Sequence, residues 1–535
     1  MSTFIRDRVD AMRDAMPPGL LLVAAAGLIL RLSTIRVRGL WLDETVTIDQ
    51  TVHSLAKTIE RQVGNVHPPL FHVLMHFWIR LWGTSELALR SFSLVFGMAA
   101  IFAAFWAGRA LYDRRTGLIA AGVLAFSPYH IWYSQEARMY SMMMLFGLLS
   151  LGFLALAMRE GARGQWAGYG VATGLGMFTH YFFLLLVAGE VAYLGWHVLH
   201  GRRIGRAEIA KVLRRPALLF EREPRLRPLL VALGIPAALN IAWMARAVVG
   251  SALVSSISNE GLGYGQAAPS LALRFNDVAQ VIVEMTVGFH AGKLMYALVA
   301  MWPLLVYFLL AMLDRGKPQS PSTMLLLFAT AGMPVAWLAG QWQGQVLASR
   351  YFMALAAPVV ILVARLAAEM RPRTSAVLLT AGALLAVGLW ADQSFDRANL
   401  MRYDYREALQ LVAQRHQDGD VVVFEPFYTD VLVDYYLPKS IPSYGFPQYG
   451  EYGMVRDAKV QIGQDLDRVV GPSRRIWLVL GYQNIARMRG DAYNTEKWFV
   501  RNGYHVAEHR MLNQVEIIRY EGQRQGFMVP GGTGR

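Results

Sequence analysis

Long uncharged runs of apolar residues recur through the first 391 positions of the chain. A bilayer crossing by an α-helix needs roughly 20 mostly apolar residues, and runs such as SMMMLFGLLSLGFLALAM at 141–158 meet that requirement. The pattern predicts about eleven spans, at 17–35, 88–108, 116–134, 141–158, 166–182, 183–199, 228–247, 294–313, 322–340, 351–368 and 374–391. It therefore indicates a polytopic α-helical membrane protein.

The pattern changes after residue 391, where charged positions become frequent and the apolar runs become short. The stretch YREALQLVAQRH at 405–416 has helical spacing, and a QDGD turn follows it. DVVVF at 420–424 and RIWLVL at 475–480 are typical of buried strands. We therefore expect two domains, a transmembrane module over 1–391 and an α/β domain over 392–535.

Composition narrows the class of protein further. Hydrophobic residues make up 55% of the chain and charged residues 17%, whereas a soluble protein carries about 25% charge. The absence of cysteine excludes disulfides, thiolate metal sites and a cysteine nucleophile. The net charge of +14 is compatible with nucleic-acid binding. In a membrane protein, however, basic residues collect in cytoplasmic loops and against anionic lipid, so we expect membrane lipid and no nucleic acid as a partner.

The basic residues also predict the orientation. Short basic loops and the arginine-rich N-terminus fall on one side of the membrane if the span count is right, and such loops face the cytoplasm. These basic segments are 109–117, 159–164, 200–228, 314–318 and 371–373. The larger loops and the α/β domain then lie on the outer face of the cytoplasmic membrane.

The first outer region, 36–87, is too long for a turn and too polar for a clean span. Its segments VHSLAKTIERQ and PPLFHVLMHFWIRLWG are typical of amphipathic helices in the membrane interface. The region begins with WLDET, in which Asp43 and Glu44 are adjacent acids near the membrane boundary. Acids there are costly unless they are solvated, paired or functional. Because adjacent residues point to different faces, we expect the two acids to have different roles, with a solvated loop as the alternative.

The histidines of the same region are a second candidate. In NVHPPLFH at 65–72, the two prolines stiffen the backbone at His67. His72 and His76 lie four residues apart, so they share a helical face and could chelate a metal. No third ligand has convincing spacing, and packing at a wet interface is the favoured interpretation. A divalent metal is therefore possible but not indicated.

Arg138 is the most informative residue of a third segment, SPYHIWYSQEARMYS at 127–141. An arginine at the outer boundary runs against the inside bias and needs an anionic partner, which could be Glu136, Asp43 or a lipid phosphate. Arg350, in LASRYF, is a second outer arginine. The planar guanidinium suits phosphate because it donates two parallel hydrogen bonds. Either arginine alone could instead be a snorkelling residue.

Glu190 is the most deeply placed acid, in the middle of LLLVAGEVAYL. An acid at that depth can mark a proton path. The favoured interpretation is a partner for His180 or Tyr181 of the THYF segment, or for a polar group on a neighbouring span.

Taken together, these segments resemble a known family. A span followed by an Asp-Glu pair, then HPPL, then SPYHIWYSQEARMY is similar to the bacterial GT-C glycosyltransferases. More narrowly, it resembles the predicted membrane-bound mannosyltransferases related to protein O-mannosyltransferases and the lipid A aminoarabinose transferase. The similarity is densest over 40–200, and the later spans and the tail match in layout only.

The resemblance implies a polyprenyl-phosphate sugar donor that is used outside the inner membrane, in the periplasm or at the exterior. It implies an inverting transfer of a hexose or pentose that requires no cofactor and is independent of metal or only weakly dependent on it. The acceptor would be a glycan, a glycolipid or a protein.

The resemblance also assigns roles to residues by motif position. Asp43 would be the catalytic base, and Glu44 would support it. Arg138 and Arg350 would hold the donor phosphate, with Tyr140 lining the site. His67 stands where the aminoarabinose transferase has a lysine near that phosphate. The further site candidates are Glu136, His180, Tyr181 and Tyr351.

The chemistry agrees with these residue types, because arginines stabilise the charge that builds on a leaving phosphate and a carboxylate can take a proton from an acceptor hydroxyl. A membrane transporter or lipid flippase is the alternative. Transporters usually place ionisable groups near the midplane and often contain inverted repeats. Here the charged clusters lie at one boundary, and Glu190 is the one feature that favours transport.

Overall fold

The computed structural model divides the chain into two compact units. The first holds most of the apolar helices, and the second joins the described residues of Arg36–Gln50 to those of Asp396–Arg535. The structure describes residues 17–63, 67–201, 226–257, 283–285, 288–289, 325, 348–397, 399, 402–425, 429–445, 466–470, 473–481 and 491–522. The predicted span 294–313, all of 322–340 except residue 325, and the N-terminal arginines lie outside these ranges, so the count of eleven spans stays a prediction.

Helices account for nearly all of the described first unit. In chain order the α-helices up to residue 395 are α1 (Pro18–Thr34), α2 (Leu42–Thr51), α3 (Leu55–Val63), α4 (Leu70–Trp82), α5 (Glu86–Leu111), α6 (Arg114–Phe126), α7 (Pro128–Ser134), α8 (Tyr140–Glu160), α9 (Arg163–Thr179), α10 (Leu184–Gly201), α11 (Leu226–Ile257), α12 (Met353–Glu369) and α13 (Pro372–Phe395). Short 3-10 turns precede α10 at Tyr181–Phe183 and α12 at Ser349–Phe352.

Five stretches of the described helices are long and apolar enough to cross a membrane. They are Glu86–Leu111, Tyr140–Glu160, Arg227–Arg246, Ser349–Glu369 and Pro372–Phe395. Shorter apolar helices lie at Pro18–Thr34 and Tyr181–Tyr193. These helices coincide with predicted spans, and the structure is that of a helical membrane protein with a C-terminal sheet domain.

The predicted span at 116–134 is not one continuous helix. It is divided at Ser127, where α6 ends and α7 begins. The break follows from Pro128, which has no backbone N–H and disfavours helical geometry at the residue before it. The Ser127 hydroxyl then caps α7 by accepting a hydrogen bond from the His130 N–H.

Arg31 stabilises the chain at this break. Its fully buried guanidinium donates to the carbonyl oxygens of Gly27 and Ala125 at 2.8 and 2.9 Å, and to Nδ1 of His130 at 2.8 Å. The last carbonyls of a helix have no partner within that helix, so an arginine from α1 supplies the donor that the end of α6 lacks.

Glu190 lies within the first unit on α10. Its Oε1 accepts a hydrogen bond of 2.7 Å from Ser150 on α8, and its Oε2 accepts one of 2.7 Å from the Tyr169 hydroxyl on α9. Ser150 also shares a hydrogen bond with Thr173. The partners are polar groups on neighbouring helices, as the favoured sequence interpretation holds, and not the His180 or Tyr181 side chains that it offered as another possibility.

Region 36–87 forms helices, as its amphipathic pattern predicts. They are α2, α3 and α4. Asp43 and Glu44 lie in the first turn of α2, and not in a solvated loop. Helix α4 buries Phe71, His72 and Met75 and exposes Phe77.

The second unit contains an α/β domain with a five-stranded sheet in the order β2-β1-β3-β5-β4. Its strands are β1 (Val421–Glu425), β2 (Ser443–Gly445), β3 (Arg475–Gly481), β4 (Tyr504–Leu512) and β5 (Val515–Gly522). Its helices are α14 (Tyr405–Arg415), α15 (Asp430–Tyr436) and α16 (Asp491–Arg501). β1 pairs in parallel with β2 and β3, whereas β5 pairs antiparallel with β3 and β4.

Both faces of the central strands are covered. Val421 and Val423 pack into one buried cluster, which includes Phe499 of α16, while Val422 and Phe424 pack into a second cluster against α14 and α15. A strand buried on two faces has a continuous apolar run and no alternation, which explains why DVVVF and RIWLVL are strands. The predicted helix at 405–416 and the two predicted strands are confirmed.

Candidate functional site

A cluster of arginine, histidine and tyrosine side chains lies in the first unit. A terminal nitrogen of Arg138 donates a hydrogen bond of 2.8 Å to Nε2 of His67. The rings of His67 and His180 lie 5.0 Å apart between centroids. Tyr140 and Tyr351 lie 6.2 and 5.7 Å from the His180 ring. We call these five residues, together with Arg350, the Arg138 cluster.

The segment between α7 and α8 places Arg138. The Ser93 hydroxyl on α5 donates to the Arg138 carbonyl at 2.9 Å, and the Ser141 hydroxyl donates back to the Ser93 carbonyl at 2.8 Å. Gln135 donates to the Arg31 carbonyl of α1. The segment is thereby tied to two helices, so the Arg138 side chain, which is 4% exposed, has a fixed backbone beneath it.

Arg350 enters the cluster from a distant part of the sequence. The Tyr129 hydroxyl donates 2.7 Å to the carbonyl of Ser349, the residue before it. The Arg350 guanidinium carbon lies 5.3 Å from the centre of the Tyr351 ring. Tyr351 also stacks on Phe182, with 4.6 Å between ring centres. Tyr129 and Phe182 were not among the sequence candidates, and both hold a candidate in place.

The charge of the cluster resides on its arginines. Burial, and then the nearby Arg138, lower the pKa of His67 well below its usual value. Burial and Arg138 also lower the pKa of His72, the neighbour on α4, to about 3. These histidines are therefore neutral near pH 7. The buried Arg138 and the half-buried Arg350, beside neutral imidazoles, favour an anion with several acceptor oxygens, such as a phosphate group.

Asp43 and Glu44 belong to the second unit. Glu44 is fully buried, and its Oε2 accepts a hydrogen bond of 3.4 Å from the Trp41 backbone N–H. The Thr47 hydroxyl donates 3.0 Å to the Asp43 carbonyl. Glu44 thus caps the start of α2, while the Asp43 side chain is partly exposed. The two acids have different surroundings, as their adjacency predicts.

The segment before these acids is fixed to the α/β domain. The Leu40 N–H donates 2.6 Å to the Tyr436 hydroxyl of α15, and the Trp41 ring stacks on Tyr403 at 6.2 Å. Arg406 donates to the Arg36 carbonyl at 3.1 Å. The Asp43 backbone is therefore positioned by the C-terminal residues of the chain, a long-range relationship that no local pattern signals.

Glu136 and Tyr181 are the remaining candidates. Glu136 is buried in the segment that carries Arg138, and its carbonyl accepts a 2.6 Å hydrogen bond from the Arg138 N–H. Tyr181 opens the 3-10 turn after His180, beside Trp243 of α11. Within the part of the chain that the structure describes, no three His, Asp or Glu side chains are grouped to hold a metal ion. Nδ1 of His76 instead donates 2.9 Å to the Thr51 carbonyl.

Comparison with protein families gives one match. Residues 66–218 match the family described as dolichyl-phosphate-mannose-protein mannosyltransferase. This range contains His67, Arg138, Tyr140 and His180, and it excludes Asp43 and Arg350. No curated protein matches the sequence.

Solved structures match over nearly the whole chain. ArnT from Cupriavidus metallidurans in the apo state is 12% identical, with a TM-score of 0.57 over 93% of this chain and 97% of that one. The same enzyme bound to undecaprenyl phosphate is 13% identical, with a TM-score of 0.52 over 93% and 97%. The oligosaccharyltransferase AglB from Archaeoglobus fulgidus, in complex with an inhibitory peptide and a dolichol-phosphate, is 14% identical, with a TM-score of 0.51 over 96% and 74%.

At these identities the likeness concerns the fold. It extends over the helices and the C-terminal sheet alike, and it covers the parts of the chain that the sequence motifs do not reach. The resemblance that those motifs predict is confirmed.

Proposed function

Since the chain has the GT-C glycosyltransferase fold, we propose that it transfers a sugar from a polyprenyl-phosphate donor to an acceptor hydroxyl. The proposed site faces the outside of the bacterial inner membrane, and the sugar is a hexose or a pentose. The single observation that carries the proposal is the Arg138 cluster, in which the buried Arg138 donates a 2.8 Å hydrogen bond to His67. Undecaprenyl phosphate bound to ArnT and dolichol-phosphate bound to AglB support a lipid phosphate as its ligand.

The proposed reaction is a single displacement. Asp43, which is partly exposed in α2, takes the proton of the acceptor hydroxyl. The acceptor oxygen then attacks the anomeric carbon from the face opposite the phosphate. The bond between that carbon and the phosphate oxygen breaks, and its electron pair stays on the departing polyprenyl phosphate. The product has inverted configuration.

The arginines act on the leaving group. The donor is a phosphodiester, and its phosphate gains one negative charge as the bond to the sugar breaks. Arg138 and Arg350 stabilise that added charge, which grows towards the transition state, and so they lower the barrier. His67 and Tyr140 complete the proposed phosphate site. Glu44 supports Asp43 by holding the first turn of α2 at Trp41.

The decisive experiment uses purified protein in detergent, without a membrane gradient. It is incubated with polyprenyl-phosphate mannose, arabinose, galactose and aminoarabinose, with and without a membrane lipid and glycan extract as acceptor. Release or transfer of one of these sugars, lost in Arg138→Ala, is the expected result. If no sugar is released from any donor in detergent, and the same protein reconstituted into vesicles moves intact donor across the bilayer, the result would instead indicate the transporter or flippase.

A further inference from the structure

The hydrogen bonds of the Arg138 cluster determine which ring nitrogens of its two histidines carry a proton. Neutral imidazole has one N–H donor and one acceptor nitrogen, and the two exchange roles between tautomers. A partner that can only donate therefore identifies the acceptor nitrogen, and the proton must lie on the other one. Both histidines of the cluster have such a partner.

For His67 the partner is Arg138. A guanidinium has five N–H donors and no acceptor, so the 2.8 Å hydrogen bond to Nε2 runs from Arg138 to His67. Nε2 is therefore unprotonated, and the proton of the neutral ring lies on Nδ1. The lowered pKa of His67 agrees, since a protonated ring could not accept from Arg138.

For His180 the partner is the backbone. The N–H of Phe182 donates 3.1 Å to Nδ1 of His180, in the 3-10 turn that follows α9. A backbone N–H is only a donor, so the proton of the neutral ring lies on Nε2. The two histidines thus have opposite tautomers, and each uses one nitrogen for a fixed contact within the protein.

The other ring nitrogen of each histidine is available to a ligand. Nδ1 of His67 and Nε2 of His180 are buried, and neither has a hydrogen-bonding partner among the described residues. A buried N–H without a partner is costly, and here two lie on rings 5.0 Å apart. A bound group with several acceptor oxygens would satisfy both N–H donors at once.

We propose that Nδ1–H of His67 and Nε2–H of His180 both donate hydrogen bonds to oxygens of the lipid phosphate that Arg138 and Arg350 attract. The proposal rests on the proposed function and adds His180 as a phosphate-binding residue with a defined donor atom. Neutral imidazole N–H groups do not dissociate at physiological pH. The two N–H groups orient the phosphate oxygens, while the positive charge of the arginines attracts the phosphate.

One consequence is that phosphate recognition does not depend on protonating a histidine. An imidazolium site would lose affinity as the pH rises through the pKa of the ring, whereas neutral donors keep it. A site on the outer face of a membrane meets the pH of its surroundings, and both arginines and neutral imidazoles are insensitive to alkaline change. Because the departing phosphate takes the electron pair and needs no proton, His67 and His180 do not act as general acids in the proposed reaction.

Amide side chains test the assignment atom by atom. Asn places its amide close to the Nδ1 position of histidine, and Gln reaches the Nε2 position. If the proposal holds, His67→Asn keeps the phosphate donor and His67→Gln loses it. At the other ring, His180→Gln keeps the donor and His180→Asn loses it. A merely structural role predicts the reverse order at both positions, because His67→Gln retains the contact to Arg138 and His180→Asn retains the contact to Phe182.

The measurement is the affinity of each purified variant for undecaprenyl phosphate, with undecaprenol as the probe that lacks a phosphate. We expect the two variants that lose a donor to bind undecaprenyl phosphate roughly ten- to a hundredfold more weakly, as for loss of a hydrogen bond to a charged group. The other two should remain within a few fold of the parent. His76→Gln is the matched control, because His76 contacts the Thr51 carbonyl. Undecaprenol binding should be equal in all of these variants.

A second measurement on the unaltered protein remains decisive if the variants do not fold. Affinity for undecaprenyl phosphate should stay constant between pH 7 and 9, where the phosphate, whose second pKa is near 6, is already a dianion. A progressive fall over that range would show recognition by imidazolium and overturn the proposal, as would the reversed order of variants.

The two proposals fail separately. If the variants follow the predicted order of affinity but the protein turns over no sugar donor, the phosphate site is supported and the proposed transferase activity is contradicted. If the protein transfers sugar but the variants follow the reversed order, the transferase is supported and the two histidine donors are contradicted.

Discussion

The hydroxyl of Tyr129 donates a hydrogen bond of 2.7 Å to the backbone carbonyl of Ser349, a residue 220 positions further along the chain. Tyr129 lies on α7, nine residues before Arg138, and Ser349 directly precedes Arg350. One hydrogen bond therefore connects the backbones that carry the two arginines of the proposed phosphate site. Both residues are buried, so the bond is shielded from water.

Tyr129→Phe removes the hydrogen bond between the two backbone segments and leaves both arginines in place. The Ser349 carbonyl would be left buried without this donor, at a cost of about 1–3 kcal/mol. We expect a lower thermal midpoint and a severalfold weaker affinity for undecaprenyl phosphate. Tyr181→Phe is the control, since that hydroxyl lies beside Trp243 and not at Ser349. Unchanged affinity in a stable Tyr129→Phe protein would show that Arg350 is held by other contacts.

Removal of either arginine should weaken donor binding directly. Arg138→Ala and Arg350→Ala each lose a charge-assisted hydrogen bond, which is worth about 1.5–3 kcal/mol, or roughly ten- to a hundredfold in affinity. Arg138→Lys should recover only part of the loss, because a point charge cannot replace the planar fork. Calorimetric titration with undecaprenyl phosphate measures both effects. Parent-like affinity in both alanine variants would exclude them from the phosphate site.

Asp43→Asn should separate chemistry from folding. Asn preserves the shape of the side chain but cannot take the acceptor's proton. Turnover should fall by about 10²–10⁴-fold, with donor affinity and thermal midpoint near those of the parent. A stable Asn variant with normal turnover would contradict the assignment of Asp43 as the base.

Glu44 offers the matched comparison, because its neighbour Asp43 has a different role. Glu44→Gln keeps an oxygen that can accept from the Trp41 N–H and should be nearly neutral in stability. Glu44→Ala removes this cap, and the free energy of unfolding should fall by about 1 kcal/mol or more. The loss of activity in Glu44→Ala should follow the loss of folded protein, in contrast to Asp43→Asn.

The Glu190 network distinguishes a structural acid from a proton path. Glu190→Gln can still accept from Tyr169, and Ser150 can rotate to accept from the new amide, so the protein should remain stable and active. Glu190→Leu leaves the buried Tyr169 hydroxyl without its acceptor and should cost about 1–3 kcal/mol. Thermal midpoints and turnover are measured on the same preparations. A stable Glu190→Gln protein without activity would instead favour a role for Glu190 in proton movement.

Acid should destabilise the first unit through its neutral histidines. The folded pKa of His67 lies well below the ordinary value of 6.5, and that of His72 is about 3. A histidine with a lowered folded pKa contributes stability that is fully present above about pH 6.5 and is lost below it. The loss should approach about 1.4 kcal/mol per pH unit for each such group. Thermal midpoints between pH 8 and 5 measure it, and His72→Asn should reduce the slope.

The sequence predicts Arg138 and Arg350 because basic residues on the outer side run against the inside bias, and His67 because two prolines follow it in a motif that the resemblance places near the donor phosphate. Charge against the inside bias, and prolines beside a histidine, are local signals that need no coordinates. The bond between Tyr129 and Ser349 has no such signal, because a tyrosine in an apolar run is as easily a packing residue. The same holds for Ser93, whose hydroxyl supports the Arg138 carbonyl from within an apolar helix.

The sequence predicts the helices best where the apolar runs are uncharged, and it does not predict the break at Ser127, although Pro128 follows that residue. A single proline inside a run of 19 apolar and polar residues does not reveal whether the helix kinks or ends. Here the outcome depends on Arg31, which provides donors for the interrupted carbonyls from another helix. The position of Asp43 likewise depends on Tyr436 and other residues almost 400 positions away.

The contacts of Arg31 can form only late in the synthesis of this part of the chain. Its acceptors at Leu124 and Ala125 are made 93 and 94 residues after it, which at about 5–20 residues per second is an interval of about 5–20 s. Throughout that interval α1 exists without the carbonyls that its arginine finally contacts. Until α6 has been synthesised, the guanidinium of Arg31 must therefore hydrogen-bond to lipid headgroups or to water.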